Sequence, residues 1–125
     1  VICQILFDRK ETFHFTIEKL KKITENNIKK KISLATLYNT VHAFKNKGYL
    51  KEISLKGNKT FFDTNTKNHY HFFDEESSRL IDIKNQDISV NNLPKAPYGK
   101  KIKEIEITVR VASNTQKQKK NNQLK

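Results

Sequence analysis

Apolar residues recur at helical spacing in the second quarter of the chain. They fall on one face of a helix with about 3.6 residues per turn, and they are Leu34, Leu37, Tyr38, Val41 and Phe44. Ser33 precedes this pattern as a suitable N-cap, and Gly48 follows it where a left-handed C-terminal stop is needed. The pattern therefore predicts a helix over Ser33–Lys47.

The polar face of this predicted helix carries no carboxylate. It presents small or hydrogen-bonding side chains, namely Ala35, Thr36, Asn39, Thr40 and His42. A face of this kind can approach phosphates and base edges. An ordinary amphipathic core helix would show the same pattern, so on this helix alone both interpretations stay open.

A second helix and a hairpin flank the first predicted helix. Residues 15–23 have apolar positions at helical spacing, with Thr16 as a plausible cap. Residues 49–55 and 59–63 are rich in β-branched and aromatic side chains, and Lys56-Gly57-Asn58 between them suits a turn. Two helices followed by a hairpin predict a winged helix-turn-helix, with the helix that starts after Ser33 as the recognition helix.

The residue pattern of the second half predicts a smaller unit of α+β or mostly β structure. Short strands are expected at Tyr70–Phe73 and Arg79–Lys84, and the alternation from Ile105 to Val111 predicts a strand with one buried face. Residues 85–99 read as a loop. About 45 residues bury too little surface to be stable alone, so pairing with a second copy is expected, and a two-headed binder suits a palindromic DNA site.

These patterns predict an α+β chain, in which an N-terminal winged helix-turn-helix is followed by a small α/β dimerisation domain. The expected domains are 1–64 for DNA binding, 68–112 for dimerisation and metal or haem sensing, and 113–125 as a disordered basic tail. The chain has no methionine and begins with Val1, so a truncated first helix is expected.

Positive charge is concentrated in the predicted DNA-binding half. The net charge of the 125 residues is +12, made up of +8 in residues 1–67, zero in residues 68–112 and +4 in residues 113–125. Such a field attracts polyanions. A composition rich in lysine and asparagine, inherited from an AT-rich genome, is the alternative explanation, although it leaves the neutral second half unexplained.

The candidate chemistry consists of nitrogen and oxygen donors without a thiolate pair. His69 and His71 lie two apart on a predicted strand and so share a face. With His14, Asp63 and Asp82 they form a set that suits Fe²⁺, Mn²⁺ or Zn²⁺, and imidazole also suits haem iron. A histidine pair of this spacing can equally be non-ligating surface.

The single cysteine and the hydropathy exclude several classes of protein. Cys3 rules out an internal disulfide and a Cys-x-x-Cys zinc site, and its apolar neighbours predict a buried structural thiol. No segment is apolar enough for a membrane span, so a cytoplasmic location is expected.

Several separate motifs, in order, resemble the ferric uptake regulator (Fur) family, and within it the iron response regulator branch. The recognition-helix motif is Ser33-Leu34-Ala35-Thr36-Leu37-Tyr38-Asn39-Thr40-Val41-His42. The resemblance continues through residues 62–65, His69-Tyr70-His71-Phe72-Phe73, residues 80–83 and Leu93-Pro94. It covers roughly residues 3–112 and implies a dimeric transcription factor that controls iron and haem genes.

The resemblance also implies which residues form the sites. The family's regulatory metal site maps onto His14, Asp63, His69, His71 and Asp82, and the haem site of the branch maps onto His69 and His71. Tyr70 stands where the branch commonly has a third histidine, and residues 74–77 occupy the region of the absent four-cysteine structural zinc site.

The same resemblance suggests how DNA is read. Thr36, Tyr38 and Asn39 are expected to read bases or to position on phosphate, and Ser33 and Lys59 to bind the DNA backbone. Asn39 can pair with adenine in the major groove, which favours an AT-rich palindromic operator. A ligand held by both halves is expected to set the spacing of the two reading heads in the dimer.

Two other classes of protein remain open from the sequence. A metal-dependent nuclease could also combine a basic surface with a His-x-His motif and aspartates, although no general base accompanies the site. A metal-independent winged-helix repressor would carry inert histidines. DNA cleavage assays and metal or haem titrations distinguish these classes from the regulator.

Overall fold

The computed structural model describes residues 1–57 and 59–114. It divides into two compact units, the first comprising Val1–Lys67 and the second beginning at Asn68. Asn58 of the predicted turn and residues 115–125 of the predicted tail lie outside the described residues. No helix within the described ranges is long and apolar enough to cross a lipid bilayer.

The N-terminal unit combines helices with an antiparallel sheet. Its elements are α1 (Ile2–Phe7), β1 (His14–Phe15), α2 (Ile17–Ile28), α3 (Leu34–Asn46), β2 (Lys51–Leu55) and β3 (Lys59–Asp63). The strand order is β1-β3-β2, so β3 lies in the middle of the sheet. Helices α2 and α3 with the β2–β3 hairpin give the predicted helix-turn-helix and wing.

The caps of α3 follow the sequence prediction. The Ser33 hydroxyl accepts a hydrogen bond from the Thr36 backbone N–H at 3.1 Å. At the other end, Gly48 adopts a left-handed φ of 84°, and the Tyr49 N–H donates to the Phe44 carbonyl at 2.9 Å. The predicted start and stop of the recognition helix are therefore confirmed.

Helix α2 differs from its predicted bounds at both ends. Phe15 lies in β1 opposite Phe62, and the helix begins only after Thr16, whose side chain accepts the Lys19 N–H at 3.2 Å. It continues to Ile28 and ends where Lys29 takes a left-handed φ of 55°. The predicted Thr16 cap is confirmed, but strand pairing with the distant Phe62 removes Phe15 from the helix.

The core of the N-terminal unit is made by residues from every one of its helices and from its sheet. Its buried members are Leu6, Phe13, Phe15, Ile17, Leu20, Leu37, Val41, Leu50 and Phe62. Helix α1 turns Leu6 into this core and leaves Cys3 exposed. The prediction of a buried structural thiol is therefore wrong, because only one face of this short helix meets the core.

The C-terminal unit is built on a three-stranded sheet of order β5-β4-β6. Strands β4 (Tyr70–Asp74) and β5 (Arg79–Ile83) form an antiparallel hairpin, and β6 (Thr108–Val111) pairs parallel to β4. One short 3₁₀ turn, Asn85–Asp87, follows β5. The described residues between this turn and β6 otherwise form loop, as predicted for 85–99.

The last strand is shorter and more open than its alternating pattern predicts. It begins at Thr108 and not at Ile105. Val109 shares a sheet face with Phe72 and Ile81, and these three side chains are 39%, 37% and 44% exposed. The prediction of one buried face is wrong for this single chain, because no described element of the unit covers that face.

One buried hydroxyl in α2 has no hydrogen-bond partner among the described residues. Thr24 is 1% exposed, and its Oγ1 is unsatisfied. Replacing Thr24 with valine is expected to raise the free energy of unfolding by about 1 kcal/mol, because an unpaired buried hydroxyl is destabilising. Urea unfolding would measure this change. Thr12→Val, at an exposed position, is the control, and a destabilised Thr24→Val variant would contradict the prediction.

The carboxylate of Glu25, near the end of α2, binds the backbone of the segment that leads to α3. It accepts the Ile32 backbone N–H at 2.9 Å and lies 3.0 Å from the Lys21 ammonium. These two hydrogen bonds, that of Ile32 first, hold the pKa of Glu25 below its ordinary value near 4.5. The ionised form is therefore the one that stabilises the fold.

A lowered pKa gives stability that is present above the unfolded-state pKa and lost as the pH falls through the folded-state value. Glu25→Gln is expected to unfold more easily than the wild type at neutral pH. The difference should shrink as the pH drops below 4.5. Thermal melts across this range, with the exposed Glu11→Gln as control, would measure it, and a pH-independent difference would contradict it.

Candidate functional site

Three donor side chains converge on the β4–β5 hairpin. His71 lies opposite Asp82 in the strand register, and His69, two residues before His71, faces the same way. The Nε2 atoms of both histidines lie 3.3 Å from Oδ1 of Asp82. The histidines are only 9% and 4% exposed, and their ring centroids are 4.3 Å apart.

This spacing fits a divalent cation. Zinc binds histidine nitrogen and carboxylate oxygen at about 2.0–2.2 Å, so neighbouring ligands of a tetrahedral site are about 3.3–3.6 Å apart. The 3.3 Å separations to Asp82 match that value. Two imidazoles and one carboxylate also suit Fe²⁺ and Mn²⁺. The hairpin thus brings together three of the five predicted donors.

The other two predicted donors lie together in the N-terminal unit. His14 and Asp63 are directly opposite each other on β1 and β3, with donor atoms no more than 4.8 Å apart. Asp63 is fully buried, and its Oδ1 accepts the Asn65 N–H at 2.9 Å. Burying a carboxylate costs free energy unless it is compensated, and both His14 of β1 and Lys51 of β2 lie opposite Asp63 in the strand register.

The burial of the histidines bears on the haem prediction. Haem iron takes an axial imidazole that reaches the face of a large planar ring. His69 and His71 are almost fully covered, and both nitrogens point at one carboxylate oxygen. This arrangement favours a small ion over haem.

The predicted DNA-contacting residues lie on the exposed side of α3 and on the wing. Thr36, Tyr38 and Asn39 are exposed on the helix, and Lys59 is exposed on β3. The Ser33 hydroxyl is already engaged as the helix cap and lies 2.8 Å from the Thr36 hydroxyl. Ser33 therefore has a structural role as well as the predicted contact with the DNA backbone.

Two residues near these groups, His42 and Lys51, have environments that were not predicted. His42, which the helical pattern places on the polar face of α3, is half-buried, stacks on Tyr38 and meets Phe62 edge-on. The spacing of four between Tyr38 and His42 on one helix could have revealed the first contact. Lys51 lies opposite Asp63 on β2, which only the strand register reveals.

Comparison with known proteins gives the family. A model of the ferric uptake regulator family matches residues 1–110. The chain belongs to the ferric uptake regulator family. The resemblance of the motifs to the Fur family is thereby confirmed, whereas the iron response regulator branch stays a prediction.

A curated relative of this Fur-family chain matches part of it in sequence. The peroxide-responsive repressor PerR of Staphylococcus aureus (strain USA300) is 40% identical over 52 residues, which are 42% of this chain and 35% of PerR. The chain thus matches about a third of the length of that curated relative.

Solved structures match over more of the chain. The Vibrio cholerae ferric uptake regulator is similar with a TM-score of 0.63 and 17% identity, over 90% of this chain and 86% of the other. The Pseudomonas aeruginosa regulator with manganese gives 0.63 and 18%, over 90% and 84%. This likeness confirms the predicted fold class, an N-terminal winged helix followed by a smaller domain.

Proposed function

We propose that this Fur-family chain is a sequence-specific DNA-binding transcriptional regulator whose affinity for its operator is set by a divalent metal, Fe²⁺ or Mn²⁺. The observation that carries the proposal is the convergence of His69 and His71 on one oxygen of Asp82. Zn²⁺ is expected to bind the same donors in vitro. The regulated genes are proposed to serve iron or haem homeostasis.

The proposed metal ligands are the five donors of the sequence prediction, His14, Asp63, His69, His71 and Asp82. When bound, the cation supplies positive charge and fixed coordination distances. The chain supplies the buried imidazoles of His69 and His71 and the buried carboxylate of Asp63, and it holds the carboxylate of Asp82 beside both imidazoles.

The proposed DNA-binding surface is the exposed side of α3 with the wing. Helix α3 has no acidic residue in its first turn, so nothing there repels phosphate. Thr36, Tyr38 and Asn39 are proposed to contact bases or phosphate, and Ser33 and Lys59 are proposed to bind the DNA backbone. All five residues are exposed. The net charge of +8 in residues 1–67 adds non-specific attraction.

The proposed assembly is a homodimer on an AT-rich palindrome. The open face with Phe72, Ile81 and Val109 supports it, because exposed apolar side chains grouped on a sheet favour a protein partner. A two-fold dimer would present two α3 helices, as a palindromic operator requires.

The proposal is tested by selecting bound duplexes from a random DNA pool with Mn²⁺ and, separately, with a chelator. We expect AT-rich palindromes to be enriched, and their affinity to fall at least about 5-fold when the metal is removed. Equal affinity in both conditions would point instead to a metal-independent repressor. No enrichment in either condition would refute sequence-specific binding.

Two further measurements separate the remaining alternatives. Incubation of the protein with DNA and Mg²⁺ or Mn²⁺ is expected to leave the DNA intact, whereas cleavage would favour the nuclease. Haem is titrated into the wild type and the His69→Ala/His71→Ala variant. A Soret band and a loss of DNA affinity that both depend on the two histidines would make haem the signal.

A further inference from the structure

A column of rings crosses the N-terminal unit from β1 to the exposed side of α3. We call it the aromatic column, and its members in order are Phe13, Phe15, Phe62, His42 and Tyr38. Successive ring centroids are 5.5, 5.8, 6.0 and 6.1 Å apart. These separations lie within the range of about 4.5–7 Å in which aromatic rings interact.

One end of the aromatic column lies directly behind the metal donors of this unit. His14 stands between Phe13 and Phe15, and Asp63 follows Phe62 in the chain. Because successive side chains of a strand point to opposite faces, His14 and Asp63 face one side of the β1–β3 ladder and the rings face the other. A shift of the paired β1 and β3 backbones at His14 and Asp63 therefore also moves the rings on the opposite face.

The ladder that joins these two sides is very short. Strand β1 has two residues, paired as His14 with Asp63 and Phe15 with Phe62. Beyond them, the Phe13 N–H donates to the Thr64 hydroxyl at 2.9 Å, and the Thr64 N–H donates to the Phe13 carbonyl at 3.0 Å. A cation held by His14 and Asp63 would stabilise the short pairing of β1 with β3 and so hold Phe15 against Phe62.

His42 connects the buried rings of the aromatic column to the exposed side of α3. It meets Phe62, which is 1% exposed, at 87°, and it stacks on Tyr38, which is 42% exposed, at 18°. Tyr38 itself thus rests on a ring whose position is set by the buried core.

We propose that His42 is a positioning residue that couples cation binding at His14 and Asp63 to the orientation of Tyr38. The inference rests on the proposed function, because it takes the cation and the role of Tyr38 from it. It adds a route inside the N-terminal unit, from the donor strands through the aromatic column to the reading helix. The ring of His42 carries the coupling through packing.

The test follows the Tyr38 ring in the absence of DNA. The full chain is labelled with 3-fluorotyrosine, Tyr38→Phe assigns the ¹⁹F resonance, and diamagnetic Zn²⁺ is the probe. We expect Zn²⁺ to shift the Tyr38 resonance in the wild type, His42→Ala to remove at least half of the shift, and His42→Phe to restore it. Zn²⁺ affinity, measured by calorimetry, should stay within about 3-fold in both variants, because neither changes a proposed ligand.

The outcomes separate this inference from the proposed function. Tyr49, outside the aromatic column, is the internal control, and its resonance should respond alike in wild type and variants. If Zn²⁺ binds and the Tyr38 resonance does not move, or moves equally in His42→Ala, the role of His42 is refuted and the metal site stands. Failure of His42→Phe to restore the shift also refutes coupling through the ring. If Zn²⁺ does not bind, both proposals fall.

Discussion

Replacing His71 with alanine is expected to lower the affinity of the chain for Mn²⁺ or Zn²⁺ by at least about 100-fold. Mutation of residues that merely support a metal ligand typically costs about 10–100-fold, and His71 is a proposed ligand itself. Its Nε2 lies 3.3 Å from Oδ1 of Asp82, and the residue is 4% exposed.

Isothermal titration calorimetry measures the affinity directly, and thermal melts with excess metal give a second readout. The wild type should melt at a higher temperature when metal is added, because a ligand that binds only the folded state stabilises it. His71→Ala should lose most of this increase. The matched control is His42→Ala, which removes a histidine outside the donor set. Equal metal affinity in His71→Ala and wild type would exclude the β4–β5 hairpin as the site.

Replacing Phe62 with alanine is expected to lower the free energy of unfolding by about 3–5 kcal/mol, the usual cost of truncating a buried aromatic side chain. Phe62 is 1% exposed, stacks on Phe15 at 5.8 Å and supports His42 at 6.0 Å. Small domains have a total stability of about 5–15 kcal/mol, so the variant would keep only a fraction of it.

Chemical denaturation followed by circular dichroism measures this loss. Phe7→Ala is the matched control, because Phe7 belongs to the same unit and is 36% exposed with contacts to Phe44 and Tyr49. Its cost should be less than half that of Phe62→Ala. Similar costs for the two variants would mean that Phe62 does not occupy the centre of the core.

Features of the fold that depend on neighbouring residues could be predicted from the sequence. The bounds of α3 follow from a 3.6-residue period, the Ser33 cap and Gly48, all of which act within a few residues. The wing strands differ from the prediction by two residues at one end, since β2 starts at Lys51 and not at Tyr49. Local periodicity and turn chemistry are sufficient for such elements.

Features set by distant residues could not be predicted in the same way. Phe15 lies in a strand because Phe62, far along the chain, pairs with it. The open face around Val109 and the exposure of Cys3 depend on which elements cover them. A sequence pattern shows that a face is apolar, but it does not show whether the same chain supplies the partner.

Some residues of the candidate site could be placed from the sequence, and others could not. Strand alternation alone placed His69 and His71 on one face. Asp82 could be named as a candidate donor from its residue type and its predicted strand, but its place opposite His71 follows only from the register of the hairpin. The half-buried position of His42 was not predicted. The helical pattern places this residue on the polar face but does not show its contacts with Tyr38 and Phe62.

Strand β6 has a consequence for the order in which the chain acquires its structure. The β4–β5 hairpin closes over a short turn, whereas Thr108 must return to His71 from more than thirty residues away. Local hairpins form in about 1–10 μs, and distant pairings are slower. We therefore expect β6 to join the sheet after the β4–β5 hairpin has formed.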